Sequence, residues 1–279
     1  GRILKVARTI ADLEESTNIE VKHIAEAIQY AYMNGASVIN MSFGGSNISL
    51  AVEEALENAY TTSVLVAAAG NDGACNDLAC KTCDIKKVCY PAALPYVIGV
   101  MSVGRNGVES PFSNFDGVAF TSREYEVYAP GEEIISTVPG NKYASWSGTS
   151  MAAPVVSAIA ALVRSQYPDR NTYPTKFVYG QIASTSEDSG VCIGHPDYIL
   201  DAYEHNVPNI TNLYSALTKL PKPEVGLSEY YVFDTEGFSE DIAGMNNGDG
   251  VIDAGETIAR GLTLQNRWGM SENTKVTID

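Results

Sequence analysis

The chain has 279 residues, 45% of them apolar, enough for one large α/β domain and part of a second. With 34 acidic residues against 18 basic ones its formal charge is −16, which argues against nucleic acid or an anionic membrane as partner. No apolar run approaches the ~20 residues needed to span a bilayer, so no membrane span is expected.

In chain order, "RILKVARTI" reads as a strand. "TNIEVKHIAEAIQYAYMNGA" predicts an amphipathic helix with Ile24, Ile28 and Ala31 on one face, Thr17 and Glu20 at capping-box spacing and Gly35 as its stop. "SVINMSFGG" is apolar on both faces up to Ser42, as a buried parallel strand should be. "SNISLAVEEALENAY" predicts a helix with Glu53 and Glu54 near its positive end. "SVLVAAAGNDG" is a third strand running into a Gly-Asn-Asp-Gly turn, and the second half of "YPAALPYVIGVMSVG" is a fourth. "EVYAPGEEIISTV" contributes short strands broken at Pro130-Gly131, and an Ala- and Val-rich helix spans 150–166, ending before Pro168. The alternation predicts an α/β fold with a doubly wound, mostly parallel sheet. Ligands of such sheets bind beyond the carboxyl ends of the strands, which would gather Ser42–Gly45, Gly70–Asn71 and Ser150 at one edge.

The texture changes after "DYILDAYEHNV", and the Pro-bearing "TKLPKPEVGL" lacks apolar periodicity. We therefore expect a main domain over 1–212, a linker over 213–222 and a partial all-β module over 223–279, built from runs such as "YYVFD", "ETIARGLTLQNR" and "NTKVTID".

"SGTSMAAP", residues 147–154, holds the most specific chemistry. A serine hydroxyl needs a base within reach and donors aimed at the developing oxyanion. A helix starting at Ser150 would direct unpaired N–H groups and its positive end at the reacting centre, with Pro154 in the first turn, where a missing N–H costs little. Read alone, the pattern equally describes a helix cap ahead of a buried Ala-rich helix.

It does not stand alone, because "GTSMAAP" resembles the serine motif of the subtilase family of serine endopeptidases. "GASVINMSFGG", "VLVAAAGNDG", "YPAALPYVIGV", "FSNF" and "YAPGEEIIST" resemble further family segments in the same order, over roughly residues 1–206. The resemblance implies a subtilisin-like fold and peptide hydrolysis through a Ser150 acyl-enzyme, with no cofactor for catalysis. Asn71 would donate to the oxyanion beside the Ser150 N–H. Ser42, Phe43, Gly44 and Gly45 would bind the peptide or protein substrate as an edge strand. Ala68, Ala69, Gly70 and Thr149 would line the binding cleft, with room for a sizeable apolar or aromatic side chain. Read without the resemblance, Asn71 is also an ordinary turn residue.

The family's Asp-(Ser/Thr)-Gly and His-Gly-Thr-His motifs are absent. Of the three histidines, His23 is expected to be a surface or helix-packing residue, and His195 and His205 follow the serine in the wrong order. The chain starts at Gly1 rather than Met and ends within strand-like sequence, so both ends are expected to be cuts, with the missing pair upstream. The chain alone is then expected to be inactive. Two alternatives stand beside this reading. One is a non-catalytic binding protein on a subtilase scaffold. The other is an α/β-hydrolase elbow at "GTSMA" using Asp188, Asp201, His195 or His205, although "GNKYASWSG" is not the apolar strand an elbow needs.

Cys75, Cys80, Cys83 and Cys89, spaced C-x4-C-x2-C-x5-C, fit two disulfides in an exported, extracellular protein or a zinc knuckle; Cys192 is left over. In "MNNGDGVIDAGE", Asn247, Asp249, Asp253 and Glu256 hold positions of a calcium loop, but Met245 stands where an aspartate belongs. The readings are a structural calcium site or an Asp-Gly turn between strands. The segment also resembles the opening of β-sandwich modules that follow the protease domain in some secreted bacterial enzymes.

Overall fold

In the computed structural model, residues 2–74, 87–105, 107–115, 125–186 and 210–219 are described in full, as is the backbone of 225–233 and 259–266. The chain divides into two compact units, Gly1–Lys222 and Pro223–Asp279.

The first unit opens with helix α1, Arg2–Leu13, where the sequence reading expects a strand. Its apolar residues explain the difference. Ile3, Ala7 and Ala11 are buried, and Val6 and Ile10 pack against the same core. That spacing is helical, whereas a strand would need alternation. Helix α2, Val21–Met33, buries Ala27 and Ile28 on the expected face. Its capping box lies one turn later than Thr17–Glu20: Glu20 is the cap and His23 the third helical residue. The His23 Nδ1 accepts the Glu20 N–H at 2.8 Å, and its Nε2 lies 3.1 Å from Glu14 Oε2. Gly35, at φ +82°, ends the helix as expected, since a left-handed residue after a helix favours glycine. Helix α3, Leu50–Tyr60, starts at Ser49, whose hydroxyl accepts the Val52 N–H.

Four parallel strands form the sheet: β1 Val38–Met41, β2 Val64–Ala68, β3 Ile98–Val103 and β4 Val127–Pro130, in the order β1-β2-β3-β4. Every residue of β2 and β3 is buried, the signature of a sheet covered on both faces. Side-chain alternation shows which element covers which face. Ile39, Met41, Leu65, Ala67, Met101 and Val103 join the core cluster with Ala27, Ile28, Val52 and Leu56 of α2 and α3. Asn40 points the other way, its Oδ1 accepting the Ser157 hydroxyl of the long helix α4, Thr149–Gln166, at 2.9 Å. Helix α4 packs against all four strands.

Ahead of α4 lies an antiparallel hairpin, β5 Ile134–Val138 and β6 Lys142–Trp146, turned by Gly140 and Asn141 at positive φ. Helices α5, Thr175–Thr185, and α6, Leu213–Thr218, pack against α4. The stretch expected as linker over 213–222 therefore begins as a docked helix. Asn212 caps it, and Gln166 and Gln181 donate to the Leu217 and Ala216 carbonyls. The apolar anchor is Ala216, which is buried.

In the second unit, β7 Val225–Phe233 and β8 Ala259–Asn266 pair antiparallel, with an irregularity between Leu227 and Glu229. Asn247, Asp249, Asp253 and Glu256 lie outside the described residues, as do His195, His205, Asp188, Asp201, Cys192, Cys75, Cys80 and Cys83.

Candidate active site

The carboxyl ends of β1 and β2 and the start of α4 meet, because α4 runs across the whole sheet. Its cap is Gly148 and its first residue Thr149, one position earlier than expected. Pro154 consequently falls in the second turn rather than the first, and the Ser150 carbonyl lacks its usual donor four residues on.

Ser150 is half-buried and its hydroxyl donates to the Ser42 carbonyl at 3.0 Å. The helix thus presents the serine over the residue that follows β1. Asn71, in the turn after β2, is exposed, and its Oδ1 accepts both the N–H of Thr149, at 2.8 Å, and the hydroxyl of Thr149, at 2.9 Å. The same hydroxyl accepts the Gly70 N–H at 3.1 Å. The carboxamide is therefore fixed by its oxygen. Its Nδ2 and the Ser150 N–H have no acceptor among the described residues. Two unspent donors beside a serine hydroxyl at a helix's positive end are what an oxyanion requires.

Asn114 holds the Asn71 turn from beneath. Fully buried, it donates Nδ2 to the Ala69 carbonyl at 2.9 Å and accepts the Asp72 and Ala74 N–H groups at 2.9 and 3.1 Å. Its own N–H donates to the Gly70 carbonyl at 2.9 Å. Sequence reasoning assigned it no role. The available signal was "FSNF", a segment picked out by family resemblance alone.

The expected binding residues divide. Ser42 and Phe43 are half-buried and Gly44 is exposed, forming an open segment after β1. Gly45 differs from expectation: its N–H donates to the Tyr90 carbonyl and its carbonyl accepts the Tyr90 N–H, at 2.9 and 2.8 Å, so its backbone is already paired. Ala68 and Ala69 are buried, and the Ala69 N–H donates to the Val100 carbonyl. Thr149 is fully buried with its hydroxyl engaged, so it positions Gly70 and Asn71 instead of facing solvent.

Cys89 is a free, buried thiol; Cys75, Cys80 and Cys83, which the disulfide and zinc readings join to it, lie outside the described residues. Its sulfur packs between the two binding segments. A Cβ added to Gly44 would stand 2.6 Å from Sγ, and one on Gly70 3.3 Å. Burial pushes the thiol above its ordinary value. Lys87 and Asp72 pair nearby at 2.9 Å.

His23, the one histidine among the described residues, has both ring nitrogens engaged near Glu20 and Glu14 and serves helix capping. The strand preceding Ser150 is β6, largely exposed and antiparallel, not the buried parallel strand of a hydrolase elbow. No described helix is long and apolar enough to cross a membrane.

The chain is similar to known proteins in sequence and in fold. A sequence model described as "Subtilase family" matches residues 3–195. Subtilisin DY of Bacillus licheniformis is 39% identical over 168 residues, covering 60% of this chain and 56% of that protein. A thermostable alkaline protease of Halalkalibacterium halodurans is 34% identical over 185 residues, covering 66% and 45%. The chain thus spans about half the length of the curated relatives it matches. Among solved structures, the prenylagaramide maturation protease PagA superposes with a TM-score of 0.54 at 27% identity, covering 74% of this chain and 70% of that one. A protease from Pseudoalteromonas arctica does so with a TM-score of 0.58 at 25% identity, covering 72% and 59%.

Proposed function

Because the chain belongs to the subtilase family, we propose that it carries the nucleophile and oxyanion half of a serine endopeptidase acting on peptide or protein substrates. The observation that carries this reading is the pair of unspent donors, Ser150 N–H and Asn71 Nδ2, at the end of α4 that bears the half-buried Ser150, with Asn71 Oδ1 tied to the neighbouring Thr149. Ser150 attacks the scissile carbonyl, and the two donors take up the negative charge on its oxygen. Collapse of this tetrahedral species breaks the peptide C–N bond and releases the amine, which must receive a proton as it leaves, and water then hydrolyses the acyl-enzyme through the same arrangement. Ser42–Gly44 pair with the substrate backbone, while Gly70 and the Cys89 sulfur border the pocket for the side chain before the scissile bond, which we assign to a sizeable apolar group.

Among the described residues Ser150 has a carbonyl as its partner and no base. The reading therefore assigns the proton transfer to the family's histidine and aspartate motifs. The chain by itself is expected to leave peptides intact, and the chain together with a segment bearing those motifs to hydrolyse them. In that combination Ser150→Ala should abolish turnover. Asn71→Ala should slow it by ~10²–10³, a magnitude known for loss of one oxyanion donor in subtilisin. Undiminished hydrolysis by Ser150→Ala would overturn the assignment. Export from the cell and calcium binding at Asn247, Asp249, Asp253 and Glu256 complete the proposal on sequence grounds alone. Chelation should lower the melting temperature of the second unit, and an unchanged melting curve removes the metal from the picture.

A further inference from the structure

Helix α4 has a second end. About 21 Å along its axis from Ser150, a surface cavity of about 420 Å³ is lined by Ser37, Ala161, Arg164, Ser165, Pro168 and Arg170. Ser37 directly precedes β1, so the cavity opens at the amino ends of the strands, opposite the catalytic edge.

Arg164 is only 6% exposed. Its Nη1 donates to the Tyr167 and Tyr173 carbonyls, but its Nε and Nη2 are buried without a partner. Arg170 is held at the same cavity by donating Nη1 to the Thr62 carbonyl at 3.2 Å and Nη2 to the Ser37 hydroxyl at 2.8 Å. Every one of these acceptors is neutral. No carboxylate pairs with either arginine among the described residues.

Two guanidinium charges therefore share one opening with no counter-charge among the described residues. Burial, and then the charge of Arg170, hold the Arg164 guanidinium below its ordinary value. A desolvated cation with unmade hydrogen bonds is costly and calls for a partner. Capping the end of α4 occupies Nη1 alone and explains neither the remaining donors nor Arg170.

We infer that this cavity binds a small, doubly charged oxyanion, with Arg164 and Arg170 supplying the charge and the Ser37 and Ser165 hydroxyls further donors. Two guanidiniums balance two negative charges, and their planar forks suit oxygens of a tetrahedral anion or of a dicarboxylate. Non-specific attraction is disfavoured by the overall charge of −16, so saturable anion binding would mark a built site. The inference does not depend on the proposed peptidase function.

The test is calorimetric titration of the full chain with sodium sulfate and with disodium succinate, sodium chloride matching the ionic strength throughout. One saturable site is expected. Arg164→Met should abolish it, and Arg170→Gln, at an exposed position that spares the fold, should weaken it at least tenfold. Sulfate binding more tightly identifies a tetrahedral oxyanion, and succinate binding more tightly a dicarboxylate. No saturable heat with either salt overturns the inference. So does equal binding by wild type and Arg170→Gln, which would mean a general salt effect.

Discussion

Thr149 and Asn71, 78 residues apart in the chain, are joined twice, through the N–H and the hydroxyl of Thr149 onto one carboxamide oxygen. That twofold contact, extended by the Gly70 N–H, fixes Asn71 by its oxygen and leaves its Nδ2 without an acceptor among the described residues. Thr149→Val keeps the shape and deletes the hydroxyl, leaving the Gly70 N–H unpaired. We expect a loss of about 1–3 kcal/mol in urea unfolding, with Thr149→Ser close to wild type. A Thr149→Val protein as stable as wild type would remove the relay from the account.

Asn114 supports the same turn from the buried side with three side-chain hydrogen bonds. Asn114→Ala strands the Ala69 carbonyl and the Ala74 N–H in the interior and unpairs the part-buried Asp72 N–H. The expected cost is about 3 kcal/mol or more, measured by the midpoint shift at constant m. Asn114→Asp keeps the acceptor and loses the donor to Ala69, so it should fall between the two.

Gly35 and Gly70 separate backbone strain from crowding. Both have positive φ, at +82° and +109°, but a Cβ at Gly35 meets nothing within 4 Å, whereas at Gly70 it would lie 2.3 Å from Asn114 Nδ2. Gly35→Ala should cost about 1 kcal/mol. Gly70→Ala should cost about 3 kcal/mol or more, because it displaces Asn114 as well. Equal melting temperatures for the two variants would contradict the packing described.

Cys89 makes stability pH-dependent at alkaline pH. Burial raises its thiol above the ordinary value of 9.0, so the folded chain keeps the proton when the unfolded chain releases it. With fewer protons bound in the unfolded state, stability falls as pH rises. The contribution is complete below about 9 and is lost progressively above it. Subtracting the pH profile of Cys89→Ser isolates this part from the lysines and tyrosines that titrate nearby. Native protein should also react slowly with a thiol reagent at this position and rapidly once unfolded. Matching profiles for the two proteins would argue that the sulfur is not desolvated.

Much of the first unit was legible from periodicity and punctuation. Strands β1 to β4, helices α2 to α4 and the stops at Gly35 and before Pro168 fall close to where patterning puts them, with the start of α4 one residue early and the capping box of α2 one turn late. Helix α1 differs from the expected strand because "RILKV" satisfies a short apolar run in either period, and only the burial of Ile3, Ala7 and Ala11 chooses between them. Helix α6 was hidden because six residues carry too little periodicity; its docking depends on Gln166 and Gln181, distant in sequence.

What the sequence determined by itself is local: which segments are buried strands, where helices begin and stop, and that one serine stands at the tip of a helix in a motif of high specificity. The pairing of partners belonged to the tertiary structure. That Asn71 is held by Thr149, that Asn114 braces the turn, that Tyr90 has already claimed Gly45, and that Arg170 reaches back to Thr62 and Ser37 are contacts across tens of residues or more. Propensity and pattern act within a turn or a strand, whereas these hydrogen bonds and charges find each other only after the sheet has closed beneath a helix that crosses it from end to end.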